Sequence, residues 1–297
     1  MKAGLIIVCA GVVATAAAAD ARMLDLAKPE DVIRAEIRLN CATDPAKPRI
    51  GWMRGRIMAR RQGEPDVHLF DVQAVNTRAC QIFDDPARGP GYRAVNREIL
   101  VYIDPATGEI LDRWANPWTG ETVDVITMYN DPVNMREPKY ARDAGGRPTA
   151  KWEGQIVGSM AVTLNARNHF RDGPMSGDYQ DYVGGKYSVL ESSSMIVPVA
   201  AWLDTEAPLP VPAVSSWTRI SPWLPWMKMA GREGYTVLVS NWFTATSLDE
   251  VDEPLRSAIR TRHPEYAVAP PLDDTRPAIN SWDAMKKAID AKRATAK

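Results

Sequence analysis

Between residues 32 and 129 the chain is cut by turn residues into short stretches whose apolar side chains fall on every second position. A strand points successive side chains to opposite faces, so each such stretch buries one face, and this alternation restricts the fold more than any other feature. It is seen at residues 34–39, 52–59 and 68–72. The clearest hairpin runs from 99–103 through Asp104-Pro105-Ala106-Thr107-Gly108 and back along 110–114. There Pro105 fixes φ at the second turn position and Gly108 supplies a positive φ at the last. A second turn at 116–120 precedes a stretch at 122–129, so neighbours in sequence are expected to pair as a meander. A polar connection follows at 131–151, and strands are expected again at 155–165, 187–191, 195–203 and 235–239. Ala200-Ala201-Trp202 reads there as a segment apolar on both faces, and Pro208, Pro210 and Pro212 break what comes next. Helix is expected only near the end. One begins at Pro254 under an Asp252 cap, with Leu255, Ala258 and Ile259 inward and Pro264 as its stop; another is capped by Ser281 and continues through Met285 and Ile289. Many short strands without crossover helices predict a mostly β fold: an antiparallel meander forming a lipocalin-like barrel, with short C-terminal helices.

Residues 1–21 carry Lys2, an apolar core and a small-residue run ending Ala19-Asp20-Ala21, the layout of a cleaved secretory leader. That predicts a periplasmic or secreted protein with no stable membrane span after processing, and a single barrel-like domain over 22–297. In an oxidising compartment Cys41 and Cys80 either pair or remain two small buried hydrophobes. A formal net charge of -1 gives no footprint for nucleic acid. Self-association is left open.

Three His, at 68, 169 and 263, show no helical ligand spacing, and no Cys-x-x-Cys occurs, so no metal site of familiar spacing is expected. Gly184-Gly185-Lys186 lacks the leading Gly of a phosphate loop, no Gly-x-Ser-x-Gly elbow is present, and a βαβ dinucleotide unit does not fit this strand order. The expected cofactor set is therefore empty. What remains is polar residues among aromatics, where ten Trp stand against four Phe and desolvation would shift pKa values. Asp131 leaves a strand end in Asn130-Asp131-Pro132-Val133-Asn134 and is a candidate acid or base, or simply a turn cap. Lys228, beside Trp226 and Met229, is either a cation for a phenolate or a side chain reaching solvent. His169 falls in a loop beyond a strand, and Asn76 and Arg78 at the end of one strand with Arg97-Glu98 at the start of another suit a ligand clamp or cross-strand ion pairs.

Several short motifs taken together resemble a known family: Trp52-x-x-Gly55, Tyr102-x-Asp104-Pro105-x-Thr107-Gly108-Glu109-Ile110-Leu111, Asn116-Pro117-Trp118-Thr119-Gly120, Asn130-Asp131-Pro132-Val133-Asn134, Pro222-Trp223-Leu224-Pro225-Trp226-Met227-Lys228-Met229 and His263-Pro264-Glu265-Tyr266. They are similar to the exported family catalogued as domain of unknown function 1838. Members often carry a twin-arginine leader, where this chain has Lys2 alone. A looser similarity is to cofactor-free lyases of lignin-derived aromatic dimers, which implies phenylcoumaran ring opening with loss of formaldehyde to a stilbene. Under that implication Lys228 and Arg78 steady phenolate, Asp131 or His169 takes the hydroxymethyl proton, and Tyr187 protonates the departing oxygen. Trp52, Asn76, Arg78, Arg97, Tyr102, Asn134, Trp223 and Trp226 form the expected binding surface for a small aromatic or apolar molecule. The alternative is a carrier that holds such a ligand unchanged.

Overall fold

The computed structural model describes residues 22–172, 186–229 and 231–295, the side chains of 167–172, 186 and 187 excepted. The leader, Gly184-Gly185 and the side chains of His169 and Tyr187 thus lie outside the described residues.

Alternation builds an all-antiparallel sheet. Its long members are β1 (Arg49–Arg60), β2 (Val67–Asp85) and β3 (Gly89–Ile103), then β9 (Met160–Asp172), β10 (Lys186–Pro198), β11 (Val214–Ser221) and β12 (Tyr235–Ala245). The Asp104–Gly108 turn forms as its residues dictate: the Gly108 N–H donates to the Asp104 carbonyl at 2.8 Å, and Gly108 has φ +77°. The return, however, is a lone bridge from Ile103 to Ile110. The chain then leaves the sheet for a two-stranded ribbon of β4 (Arg113–Ala115) and β5 (Thr122–Asp124), and rejoins β3 at β6 (Met128–Asn130). The two-residue β7 (Lys139–Tyr140) also pairs with β3, and β8 (Gln155–Val157) pairs with β9.

Strand order is β6-β3-β2-β1-β12-β11-β10-β9-β8, two meanders joined where β1 pairs with β12. Among the described residues the edges β6 and β8 do not pair with each other, so the closed ring of a lipocalin-like barrel is not found. The sheet nevertheless curls. Laid flat, β3 and β10 would stand five strand spacings apart, roughly 24 Å. Instead Val189 of β10 packs in one cluster with Leu100 and Tyr102 of β3.

Several local expectations are corrected: His169 lies within β9, paired with Val189, and not in a loop beyond a strand. Residues 34–39 belong to α1 (Pro29–Asn40), not a strand. Pro29 opens it, Glu30 and Asp31 favour its N-terminal end, and Val32, Ala35 and Leu39 are buried at helical spacing. Six residues were too few to separate a period of 2 from one of 3.6. The two stretches at 187–203 are one strand, β10, followed by the short α2 (Val199–Leu203), which contains Ala200-Ala201-Trp202. The helix α3 (Leu255–Arg262) buries Leu255, Ala258 and Ile259 as expected, but Pro254 rather than Asp252 occupies its N-cap. The last helix, α4 (Ser281–Thr295), is capped one residue early: Asn280 Oδ1 accepts from the N–H groups of Trp282 and Asp283, and Ser281 is already helical.

The concave face has two ends of opposite character. At one, Met53, Ile57, Phe70, Tyr102 and Leu238 meet Trp223, Trp226, Met227 and Met229, which surround a 3-10 turn at Pro225–Met227, with Trp282 and Met285 of α4 alongside. Phe70, Tyr102 and Trp114 crowd Trp226 with ring centroids 5.2–5.9 Å apart, in the edge-on and tilted contacts that aromatic quadrupoles favour. At the other end the same strand faces carry Arg49, Asn76, Arg78, Glu98, Glu191 and Arg219. On the convex face Ile50, Val75 and Ile99 are covered by Leu255, Ile259 and Tyr266. A disulfide between Cys41 and Cys80, Cα atoms 5.3 Å apart, ties the end of α1 to β2. Among the described residues no helix is long and apolar enough to cross a membrane.

Candidate functional site

Antiparallel register makes the polar end of the concave face. Arg49 stands opposite Arg78 across β1 and β2, Asn76 opposite Glu98 across β2 and β3, and Glu191 opposite Arg219 across β10 and β11. Because the sheet curls, these three pairs line one cleft of about 380 Å³ or its margin, with Trp217, Trp242 and Met195 as apolar wall. Two larger clefts, of about 780 and 670 Å³, lie over the exposed Arg54–Asp252 pair and against the loop that follows Cys41. The smaller one is singled out because charged groups are withdrawn from water there, which is where side chains acquire altered acidity.

Burial pushes the Glu98 carboxyl above the usual range. Asn76, whose Nδ2 lies 3.5 Å from Glu98 Oε2, and the charges of Arg78 and Arg219 pull the other way without prevailing, and Glu191 adds to the rise. Glu191, by contrast, has a cation beside it, Arg219 Nη1 at 3.5 Å. Burial also disfavours charge on Arg49, with Arg78 adding repulsion, and brings its pKa down to about 9. A guanidinium holds its proton at neutral pH all the same, so the cost remains as a buried positive charge. Arg78 is lowered by burial too, partly relieved by Tyr92 and Glu98. The arrangement thus offers a carboxyl of raised pKa, a second carboxylate paired with a cation, guanidinium groups and two indoles within one curved surface. Among the described residues no group of three or more His, Cys, Asp or Glu gathers at metal-binding distance.

Of the side chains singled out from sequence, Asn76 and Arg78 are in this cleft. Tyr102, Trp223 and Trp226 share the concave face but fill its packed end, at 0%, 5% and 1% exposure, with protein against their rings. Burial raises the Tyr102 phenol well above its ordinary value. Trp52 stacks on Phe243 at 4.9 Å and packs with the convex-face cluster. Arg97 donates to the Glu265 carbonyl at 2.8 Å and approaches Asp131 at 3.6 Å. Asp131 is held by Arg276 at 2.8 Å. Asn134 is held by main chain: its oxygen accepts from the Asn96 N–H and its amide reaches the carbonyls of Asp274 and Arg276. Lys228 is on the surface, 3.1 Å from Glu121. Asp131 and Lys228 are thus engaged by different partners, away from the residues that line the cleft.

Glu98, read from sequence with Arg97 as a clamp or ion-pair residue, lines the cleft, whereas Arg49, Glu191, Arg219, Trp217 and Trp242 were not singled out. The signal that finds Glu98 is parity. It alternates with Arg97 and Ile99 and so shares the inward face with Leu100 and Tyr102. No comparable signal marks Arg219 or Glu191, whose strands lack a continuous apolar face.

No curated protein matches the chain. The family model described as "Protein of unknown function (DUF1838)" matches residues 46–289, which takes in every strand from β1 to β12 together with α3 and most of α4, and the chain belongs to that family.

Proposed function

We propose that the cleft is the active site of an exported, cofactor-independent lyase acting on an aromatic dimer of the lignin-derived, phenylcoumaran type. The observation that carries this reading is the placing of two carboxyl groups, Glu98 and Glu191, in one cleft beside indole surfaces, with burial raising the Glu98 carboxyl above its ordinary range. A phenylcoumaran opens when its para-phenol loses a proton and the electron pair, passed through the ring, expels the aryl ether oxygen to leave a quinone methide. Glu191 is suited to accept the phenol proton and Glu98 to give one to the departing oxygen, with Arg219 steadying the charge between them. The hydroxymethyl O–H then loses its proton, the carbon–carbon bond breaks to release formaldehyde, and the electrons restore the aromatic ring as a stilbene phenolate that regains a proton. Substrate equals stilbene plus formaldehyde, with no net oxidation, so acid, base and charge stabilisation are sufficient.

The second reading is a noncatalytic carrier, a curled sheet used as lipocalins use a barrel. The size of the cleft favours it, since a hollow of about 380 Å³ can hold one small ligand without reacting. One experiment separates the two. Purified protein is incubated with a panel of phenylcoumarans without additives, and formaldehyde and the near-ultraviolet stilbene band are followed. Equimolar appearance of both supports the lyase. Quenched indole fluorescence with ligand recovered intact supports the carrier, and silence in both measurements rejects both.

A further inference from the structure

Once proton transfer is assigned to Glu98 and Glu191, two guanidinium groups remain without a task. Elsewhere in the molecule several buried arginines spend donors on main-chain carbonyls or stand by carboxylates, though the Nε atoms of Arg61 and Arg97 are buried without a partner. Arg38 reaches the carbonyls of Ala201, Trp202, Thr205 and Ala207, and Arg93 those of Leu272 and Asp274. Arg97 and Arg219 stand by carboxylates. Arg49 and Arg78 differ. Arg49 Nη2 donates to Thr244 Oγ1 at 2.8 Å, but its Nε is buried with no partner. Arg78 Nη1 donates to Asn40 Oδ1 at 3.3 Å and its Nε to the Asn96 amide oxygen at 3.2 Å, both neutral partners. Among the described residues neither forms a salt bridge, and they face each other in register, so two like charges share a wall, with Glu98, whose carboxyl burial raises, also lining the cleft. Two cations withdrawn from water side by side cost stability unless a counter-charge arrives.

We propose that Arg49 and Arg78 form a carboxylate-binding subsite, so that the ligand of this cleft is an aromatic acid whose ring lies against Trp217 and Trp242. This rests on the reading of the cleft as the ligand site. A planar, two-oxygen anion matches the guanidinium fork, and each charge-assisted hydrogen bond exceeds a neutral one. The carboxylate takes no part in bond breaking; it anchors the ring while Glu98 and Glu191 act elsewhere on the molecule.

The test is equilibrium binding, followed by indole fluorescence, of 4-hydroxycinnamate against 4-hydroxycinnamyl alcohol, with acetate and inorganic phosphate as competitors. The acid is expected to bind at least about tenfold more tightly than the alcohol. Arg49→Gln and Arg78→Gln each bring that ratio towards one by weakening the acid alone. Arg49→Lys, which keeps the charge but not the fork, falls between. Thermal unfolding without ligand shows Arg49→Gln no less stable than the parent, because the removed charge had no ion partner; a structural arginine gives the opposite. Acetate competes weakly and phosphate no better. The subsite is overturned by equal affinity for acid and alcohol, by variants that weaken both alike, or by phosphate binding more tightly than the acid. Acid binding without turnover keeps the subsite and removes the lyase. Formaldehyde released equally from neutral and carboxylated phenylcoumarans, bound equally well, does the reverse.

Discussion

At the scale of single residues, Glu98 makes the sharpest prediction. Burial holds its carboxyl above the ordinary 4.5, so the folded chain keeps a proton that the unfolded chain releases near that value. Stability must then fall as pH climbs from the ordinary value through the raised one. Glu98→Gln removes this dependence. Its melting temperature is expected to equal that of the parent near pH 4 and to exceed it near pH 8. Parallel loss at both pH values would mean that the native carboxyl is ionised and bonded. If the lyase reading holds, the same variant loses turnover by about 10²-fold or more for want of its proton donor. Residue by residue, the sequence disclosed Asn76 and Arg78 as candidates, though it put them at a strand end and they stand in the middle of β2, and it misjudged the indoles. Trp223 and Trp226 are apolar enough to line a pocket and equally able to fill a core, and only the arrival of Phe70, Tyr102 and Trp114 around Trp226, and of Trp118 against Trp223, decides in favour of filling.

At the scale of elements, the join between the two meanders depends on Gly55. A Cβ there would stand 2.4 Å from the Val239 carbonyl oxygen and 2.5 Å from Ser240 Cβ, both on β12. Backbone cannot yield as a flexible side chain can, so Gly55→Ala is expected to cost about 1–3 kcal/mol in denaturant unfolding. Gly51→Ala is the matched control on the same strand: its Cβ would meet only Arg49 and Trp242 side chains, no closer than 3.6 Å, and its cost should stay within about 0.5 kcal/mol. Equal costs at both positions would show that the seam tolerates widening. Alternation made β1, β2 and the hairpin end of β3 legible because each keeps one apolar face. It hid β11, whose inward positions are Ser215, Trp217, Arg219 and Ser221. The strand that lines the cleft breaks the pattern that reveals strands, as expected where function overrides local consistency.

At the scale of the whole molecule, the apolar end of the concave face makes the fold rigid and the polar end leaves room, and the Cys41–Cys80 link bears on the second. Cys41 directly follows Asn40, whose side chain accepts from Arg78 in the cleft, and Cys80 follows Arg78 by two residues on β2. The bridge closes a separation of 39 residues, for which loop-closure entropy predicts about 3–4 kcal/mol of stabilisation. Export, as proposed, delivers the chain to a compartment where this pair stays oxidised. The intact mass of protein taken from the periplasm should therefore lack two hydrogens relative to its reduced form and show no thiol on titration. Reduction, or the Cys41→Ser and Cys80→Ser double variant, should lower the melting temperature by several degrees. It should also weaken binding of an aromatic acid more than that of the matching alcohol, because freeing the end of α1 loosens Asn40 and with it the orientation of Arg78. A reduced protein that melts lower but binds acid and alcohol in the original ratio would confine the disulfide to stability and leave Arg78 positioned by β2 alone.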